Sequence, residues 1–93
     1  MRLYDPAALD CIVAIAEEGS FQRAATRLGR TQSAVSQRVH ALEMEAGTVL
    51  VIRDRPVRLT PAGERMLRHA RRIKLLAADF RAELRELLAT ETA

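Results

Sequence analysis

The sequence predicts a mainly α-helical fold: three short helices, a two-stranded wing and one long last helix. Three observations carry this expectation. Residues 21–46 read as two helices joined by a tight turn at Gly29. A short β-branched run, residues 49–52, is followed by the turn signal Arg53-Asp54-Arg55-Pro56. Beyond Gly63 neither glycine nor proline interrupts the chain, and apolar residues recur three and four apart.

Each element follows in order. Asp5 and Pro6 open the first helix as cap and first residue, Leu9, Ile12, Val13 and Ala16 give it one apolar face, and Gly19 ends it. Ser20 caps a second helix over about 21–28 that buries Phe21, Ala24, Ala25 and Leu28. Ala25 is small where two helix backbones approach. Thr31 caps a third helix over about 32–46, whose Val35, Val39, Leu42 and Ala46 form one apolar stripe, and Gly47 stops it. Residues 49–52 form a strand and 57–59 its return, with Pro56 restricting the return strand to an edge. Together these are a winged helix-turn-helix, residues 1–60. Thr60-Pro61 then opens a helix that persists to about Leu88 within residues 61–93. Met66, Ala70, Ile73, Ala77, Phe80, Leu84 and Leu87 alternate four and three apart along it, a heptad seam. A helix this long outruns a domain of about 60 residues, so the seam is expected to pair two protomers, antiparallel or crossed.

Composition limits the function classes. The chain has 93 residues, 48% hydrophobic but only 3% aromatic, so its core is aliphatic. No run of about 18 apolar residues marks a membrane span, and the N-terminus lacks the pattern of a secretory signal. The single cysteine, Cys11, reads as a buried thiol in a reducing cytoplasm. The net charge of +3 is unevenly spread: residues 1–20 carry −3, residues 21–58 carry +4 and residues 59–93 carry +2. Almost every cation is arginine, the side chain suited to phosphate and guanine. His40 and His69 stand apart with no cysteine or acidic cluster at metal-ligand spacing, and no glycine-rich phosphate loop occurs. No catalytic constellation, metal site or cofactor is expected.

The third helix carries the functional expectation. Opposite its apolar stripe it presents Gln32, Ser33, Ser36, Gln37 and His40, short polar groups able to reach base edges in the major groove. A solvated basic surface would explain the charge alone. Its coincidence with this polar helix face favours nucleic acid. A protein-docking adaptor would instead present aromatic or aliphatic anchors there.

The chain resembles the N-terminal domain of LysR-type transcriptional regulators over Leu9 to about Leu88. The resemblance rests on Gly19-Ser20-Phe21 with Ala24-Ala25, on Thr31-Gln32-Ser33-Ala34-Val35-Ser36-Gln37-Arg38, and on Ala41-Leu42-Glu43. It continues through Gly47, Leu50, Arg53 and Leu59-Thr60-Pro61-Ala62-Gly63. Within the family it looks most like the branch that controls basic amino-acid export. It departs from the family at Arg30, which replaces an apolar residue, at Val51, which replaces a phenylalanine, and at Pro56 in a short wing loop.

The resemblance implies a cytoplasmic, nucleoid-associated homodimer, joined by the last helix, on an inverted repeat of double-stranded DNA. It also implies a separate C-terminal effector-binding domain, so the chain is expected to be the DNA-binding part of a longer, ligand-responsive regulator. Gln32 and Ser33 would read bases, and Ser36 and Gln37 a neighbouring base or phosphate. Arg30, Arg38 and Ser20 would set position on the backbone, and the capping Thr31 belongs to the same DNA-binding set. Arg53 or Arg55 of the wing would enter the minor groove. A non-specific architectural DNA-binding protein is the alternative reading.

Overall fold

The computed structural model describes residues 5–92, and the elements follow the expected order. They are α1 (Pro6–Glu18), α2 (Phe21–Leu28), α3 (Gln32–Ala46), β1 (Val51–Ile52), β2 (Arg58–Leu59) and α4 (Pro61–Thr92). The molecule measures 54 × 26 × 19 Å, its long dimension reflecting α4.

Local chemistry sets the helix starts. Asp5 Oδ1 accepts the Ala7 N–H at 3.0 Å, Ser20 Oγ accepts that of Arg23 at 3.0 Å, and Thr31 Oγ1 accepts that of Ala34 at 3.1 Å. Each satisfies a donor that the first helical turn leaves open. The turn between α2 and α3 depends on Gly29, whose φ of 65° lies in the left-handed region. There the Arg30 N–H returns to the Ala25 carbonyl at 2.9 Å, closing α2 in the manner of a Schellman motif.

The core forms where α1 is packed by α2, α3 and α4. Ala8, Leu9, Cys11, Ile12, Val13, Ala14 and Ile15 are all buried. The one-sided pattern expected for α1 is therefore too narrow, because three elements cover it. Val35, Val39 and Leu42 complete the core from α3 as expected, and Leu50 and Val51 enter it from the wing. Burying each large aliphatic side chain contributes about 1.5–3 kcal/mol.

The wing is shorter than the β-branched run suggests. Val51 pairs with Leu59 and Ile52 with Arg58, antiparallel, while Val49 is exposed. Thr60 closes the hairpin, its N–H donating to the Leu50 carbonyl at 3.0 Å and its hydroxyl to that of Val49 at 2.8 Å. The same hydroxyl oxygen accepts the Gly63 N–H at 3.0 Å, capping α4. Gly63 lies directly against the base of the wing: a Cβ there would overlap the carbonyl oxygen of Leu50, just before β1, and stand 3.2 Å from Leu59 Cβ of β2.

The core does not stop at residue 60. Gly63, Leu67 and Ala70 are buried and Met66 is half-buried, so the first turns of α4 belong to the winged domain. Ala70, expected at a protomer interface, is fully covered within its own chain and has no surface left for a partner. Ion pairs fix the departure of α4. Glu17 of α1 meets Arg27 at 2.7 Å and Arg71 at 3.2 Å, and Lys74 meets Asp10 at 2.9 Å. Hydrogen bonds from Arg27 and Arg71 hold the Glu17 carboxyl below its ordinary pKa. From Ile73 onward every described α4 side chain is exposed, Ala77, Phe80, Leu84 and Leu87 included.

Candidate nucleic-acid interface

The N-terminal turns of α2 and α3 and the wing loop enclose one groove. Ser20, Phe21 and Gln22 line it from α2, Gln32 and Ser36 from α3, and Arg53 to Val57 from the wing. Both helices present capped N-termini here, where free N–H groups and the helix dipole favour anions. Thr31 and Ser20 are occupied as capping acceptors, although each hydroxyl retains its hydrogen for a phosphate.

Along the outer face of α3 the side chains of Gln32, Ser33 and Gln37 are exposed and make no hydrogen bond among the described residues. Donors and acceptors held by a rigid helix yet left unused suit direct contact with base edges. His40 continues this exposed face, and His69 is exposed on α4. Arg30 is exposed beside the turn, with no ion-pair partner among the described residues. Arg38 is placed differently: its guanidinium reaches back to the Asp5 carboxylate at 3.3 Å, tying α3 to the start of α1. A phosphate would have to compete with that pair.

The wing divides its arginines by role. Arg53 lies with its Cζ 4.4 Å from the centroid of the Phe21 ring, and its Nη1 donates to Ser36 Oγ at 2.9 Å. The cation over the ring face and the hydrogen bond clasp the wing root to α2 and α3. Ser36 is thereby half-buried and partly engaged. Arg58 pairs with Asp54 at 2.7 Å across the loop. Arg55 has no such partner among the described residues and is exposed at the tip. Of the two arginines expected to reach a minor groove, the structure leaves Arg55 free and engages Arg53.

Three contributors escaped the sequence reading. Gln22 lines the groove, and its place two residues after the Ser20 cap was the available signal. Phe21 was read only as core, yet its ring also seats Arg53. Glu43, quoted only as part of a family motif, accepts the N–H groups of Leu50 at 2.8 Å and Val51 at 3.2 Å through one carboxylate oxygen. It holds β1 to the C-terminal half of α3, and so fixes the wing relative to that helix.

Cys11 is buried, and desolvation raises its thiol pKa, which keeps it neutral and structural. Among the described residues no His, Cys, Asp and Glu cluster could hold a metal ion, and no helix is long and apolar enough to cross a membrane.

A sequence profile described as "Bacterial regulatory helix-turn-helix protein, lysR family" matches residues 6–64. The lysine export transcriptional regulatory protein LysG of Corynebacterium glutamicum is 46% identical over 85 residues, which cover 91% of this chain and 29% of that protein. Its full-length structure superposes with a TM-score of 0.87 at 45% identity, over 90% of this chain and 29% of that one. The transcriptional regulator ArgP of Pseudomonas aeruginosa is 41% identical over 80 residues, 86% of this chain and 27% of that protein. The complex of the CbnR DNA-binding domain with DNA matches with a TM-score of 0.83 at 34% identity, covering 89% of this chain and 97% of that chain. The chain thus spans less than a third of LysG and ArgP and nearly all of the separate CbnR domain.

Proposed function

The chain belongs to the lysR family of bacterial regulatory helix-turn-helix proteins, and from that premise we propose that it reads an inverted-repeat DNA site as a homodimer. The exposed and unpaired side chains of Gln32, Ser33 and Gln37 on α3 carry this reading. With α3 in the major groove these three face base edges, while Ser20, Thr31 and Arg30 meet phosphates beside them. Arg55 enters or borders the minor groove from the wing tip. Arg53 and Ser36 position that wing, and Arg38 braces α3 through Asp5.

Two such domains are joined through α4, by Ile73, Ala77, Phe80, Leu84 and Leu87 and the exposed part of Met66. An apolar face of that extent on a free helix suits burial against a second copy. The domain serves a longer, cytoplasmic regulator whose effector is bound elsewhere in the protein. The structure of Corynebacterium glutamicum LysG with its bound effector Arg supports a basic amino acid as that effector, and similarity to the regulators LysG and ArgP supports a regulatory, non-enzymatic role.

Selection of bound duplexes from random DNA at one salt concentration tests the reading. An enriched inverted repeat is the expected result. Gln32→Ala should then lose about 1–3 kcal/mol on the selected site and less on random duplex. Failure to enrich any sequence, with equal affinity for all duplexes, would overturn specific reading and leave an architectural DNA-binding role.

A further inference from the structure

Six exposed charged residues share one flank of α4, and their order along that flank is polar. Arg65, Arg68 and Arg72 stand in its first half, Asp79, Glu83 and Glu86 in its second. At about 100° per residue all six fall on one flank, beside the stripe of Ile73, Leu76 and Phe80. The opposite flank is the one by which Gly63, Leu67, Ala70 and Lys74 engage the domain. All six are exposed, and among the described residues none has an ion-pair partner. The domain flank behaves differently, for Arg71 and Lys74 there are both paired.

Alone, each like-charged triplet repels itself, since charges three and four apart on a helix are neighbours. Their spacing identifies what relieves this. Read forwards, the arginines are separated by three and then four residues; read backwards from Glu86, the acids are separated by three and then four. A second α4 running antiparallel therefore brings all three acids opposite all three arginines in a single register. A parallel copy would set arginine against arginine.

We propose that these residues form an electrostatic latch that fixes the orientation and register of two copies of this chain. Arg65 pairs with Glu86, Arg68 with Glu83 and Arg72 with Asp79 of the second copy, and the reciprocal three pairs form by symmetry. The two-fold axis falls between Leu75 and Leu76, where Ile73, Leu76, Ala77 and Phe80 of both copies gather. The latch rests on the homodimer reading of α4 and adds what an apolar stripe leaves open, because a stripe of similar residues tolerates either direction and several registers. Being exposed, the pairs are screened, so salt loosens the dimer.

Sedimentation equilibrium of the 93-residue chain tests this. At low salt the R65E/R68E/R72E and D79R/E83R/E86R variants should each self-associate at least about tenfold more weakly, a change of about 1.4 kcal/mol. A chain carrying all six reversals should regain dimerisation, since its antiparallel pairs are restored with signs exchanged. Either triple variant dimerising as tightly as the wild type, or no recovery in the six-fold variant, would overturn the latch. So would an arginine-reversal variant that stays dimeric and loses only DNA affinity, which would assign the three arginines to phosphate. Phe80→Asp separates the latch from the dimer reading beneath it. Dissociation by Phe80→Asp without effect of the reversals removes the latch alone, while a wild type that is monomeric, or indifferent to Phe80→Asp, removes both.

Discussion

Replacing Gly63 by alanine sets two effects of opposite sign against each other. Gly63 lies inside α4, where alanine is normally better than glycine by about 0.5–1 kcal/mol. Here the added methyl would overlap the Leu50 carbonyl oxygen and press on its carbon at 3.1 Å and on Leu59 Cβ at 3.2 Å. The Leu50 carbonyl cannot swing aside cheaply. It accepts the Thr60 N–H at 3.0 Å, and the Leu50 side chain is 1% exposed. Overpacking a core contact costs about 1–3 kcal/mol, and a backbone obstacle puts this case toward the upper part of that range. The clash therefore wins, with a net loss of about 1–2 kcal/mol, or roughly 5–15 °C in Tm for a domain of this size. Thermal unfolding followed by circular dichroism at fixed protein concentration measures it, since dimerisation makes Tm concentration-dependent. Amide exchange at Val51 and Ile52 should quicken as the wing is pushed from α4. An unchanged or higher Tm for Gly63→Ala would show that α4 is not in close contact with the base of the wing at Leu50 and Leu59, and refute the reasoning.

Further predictions concern the wing and the departure of α4. Glu43→Ala leaves the Leu50 and Val51 N–H groups without their acceptor, a cost of about 1–3 kcal/mol. Hydrogen exchange at those two amides should accelerate selectively, and unaltered exchange would deny Glu43 its role. Arg55→Ala should reduce the salt dependence of DNA binding by about one unit of slope, whereas Arg53→Ala should weaken specific binding with little change in slope. A full unit lost on Arg53→Ala would mean that Arg53 leaves Phe21 and Ser36 to meet phosphate. The Glu17 carboxyl, held below its ordinary pKa by Arg27 and Arg71, adds stability above about pH 4.5 that is lost as pH falls through its folded value. Denaturant titrations of Glu17→Gln should accordingly show a shallower loss of stability on acidification, and a slope matching the wild type would count against the ion pairs.

Much of the architecture was legible because it is written in local chemistry. Asp5, Ser20 and Thr31 announce their helices as caps, Gly29 supplies the left-handed turn residue, and all four act as read. The stripe of Val35, Val39 and Leu42 is buried as its spacing requires, which leaves Gln32, Ser33 and Gln37 outside. Less was legible where a residue has two faces to choose between. A heptad pattern on α4 records that Ala70 is buried and is silent on whether its own domain or a second copy does the burying. Likewise α1 reads as amphipathic, although three neighbours enclose it.

By itself, then, the sequence determined the element order, the caps and the polar face of α3, because each depends on residues within a turn or two of one another. Tertiary structure decided the rest: that Arg53 clasps Phe21 and Ser36 while Arg55 stays free, that Glu43 anchors β1, and that Gly63 lets α4 close on the wing. Arg53 stands seventeen residues from Ser36 and farther still from Phe21, and Glu43 stands seven from Leu50. Only packing sets the distances between them, and no periodicity along the sequence encodes such distances.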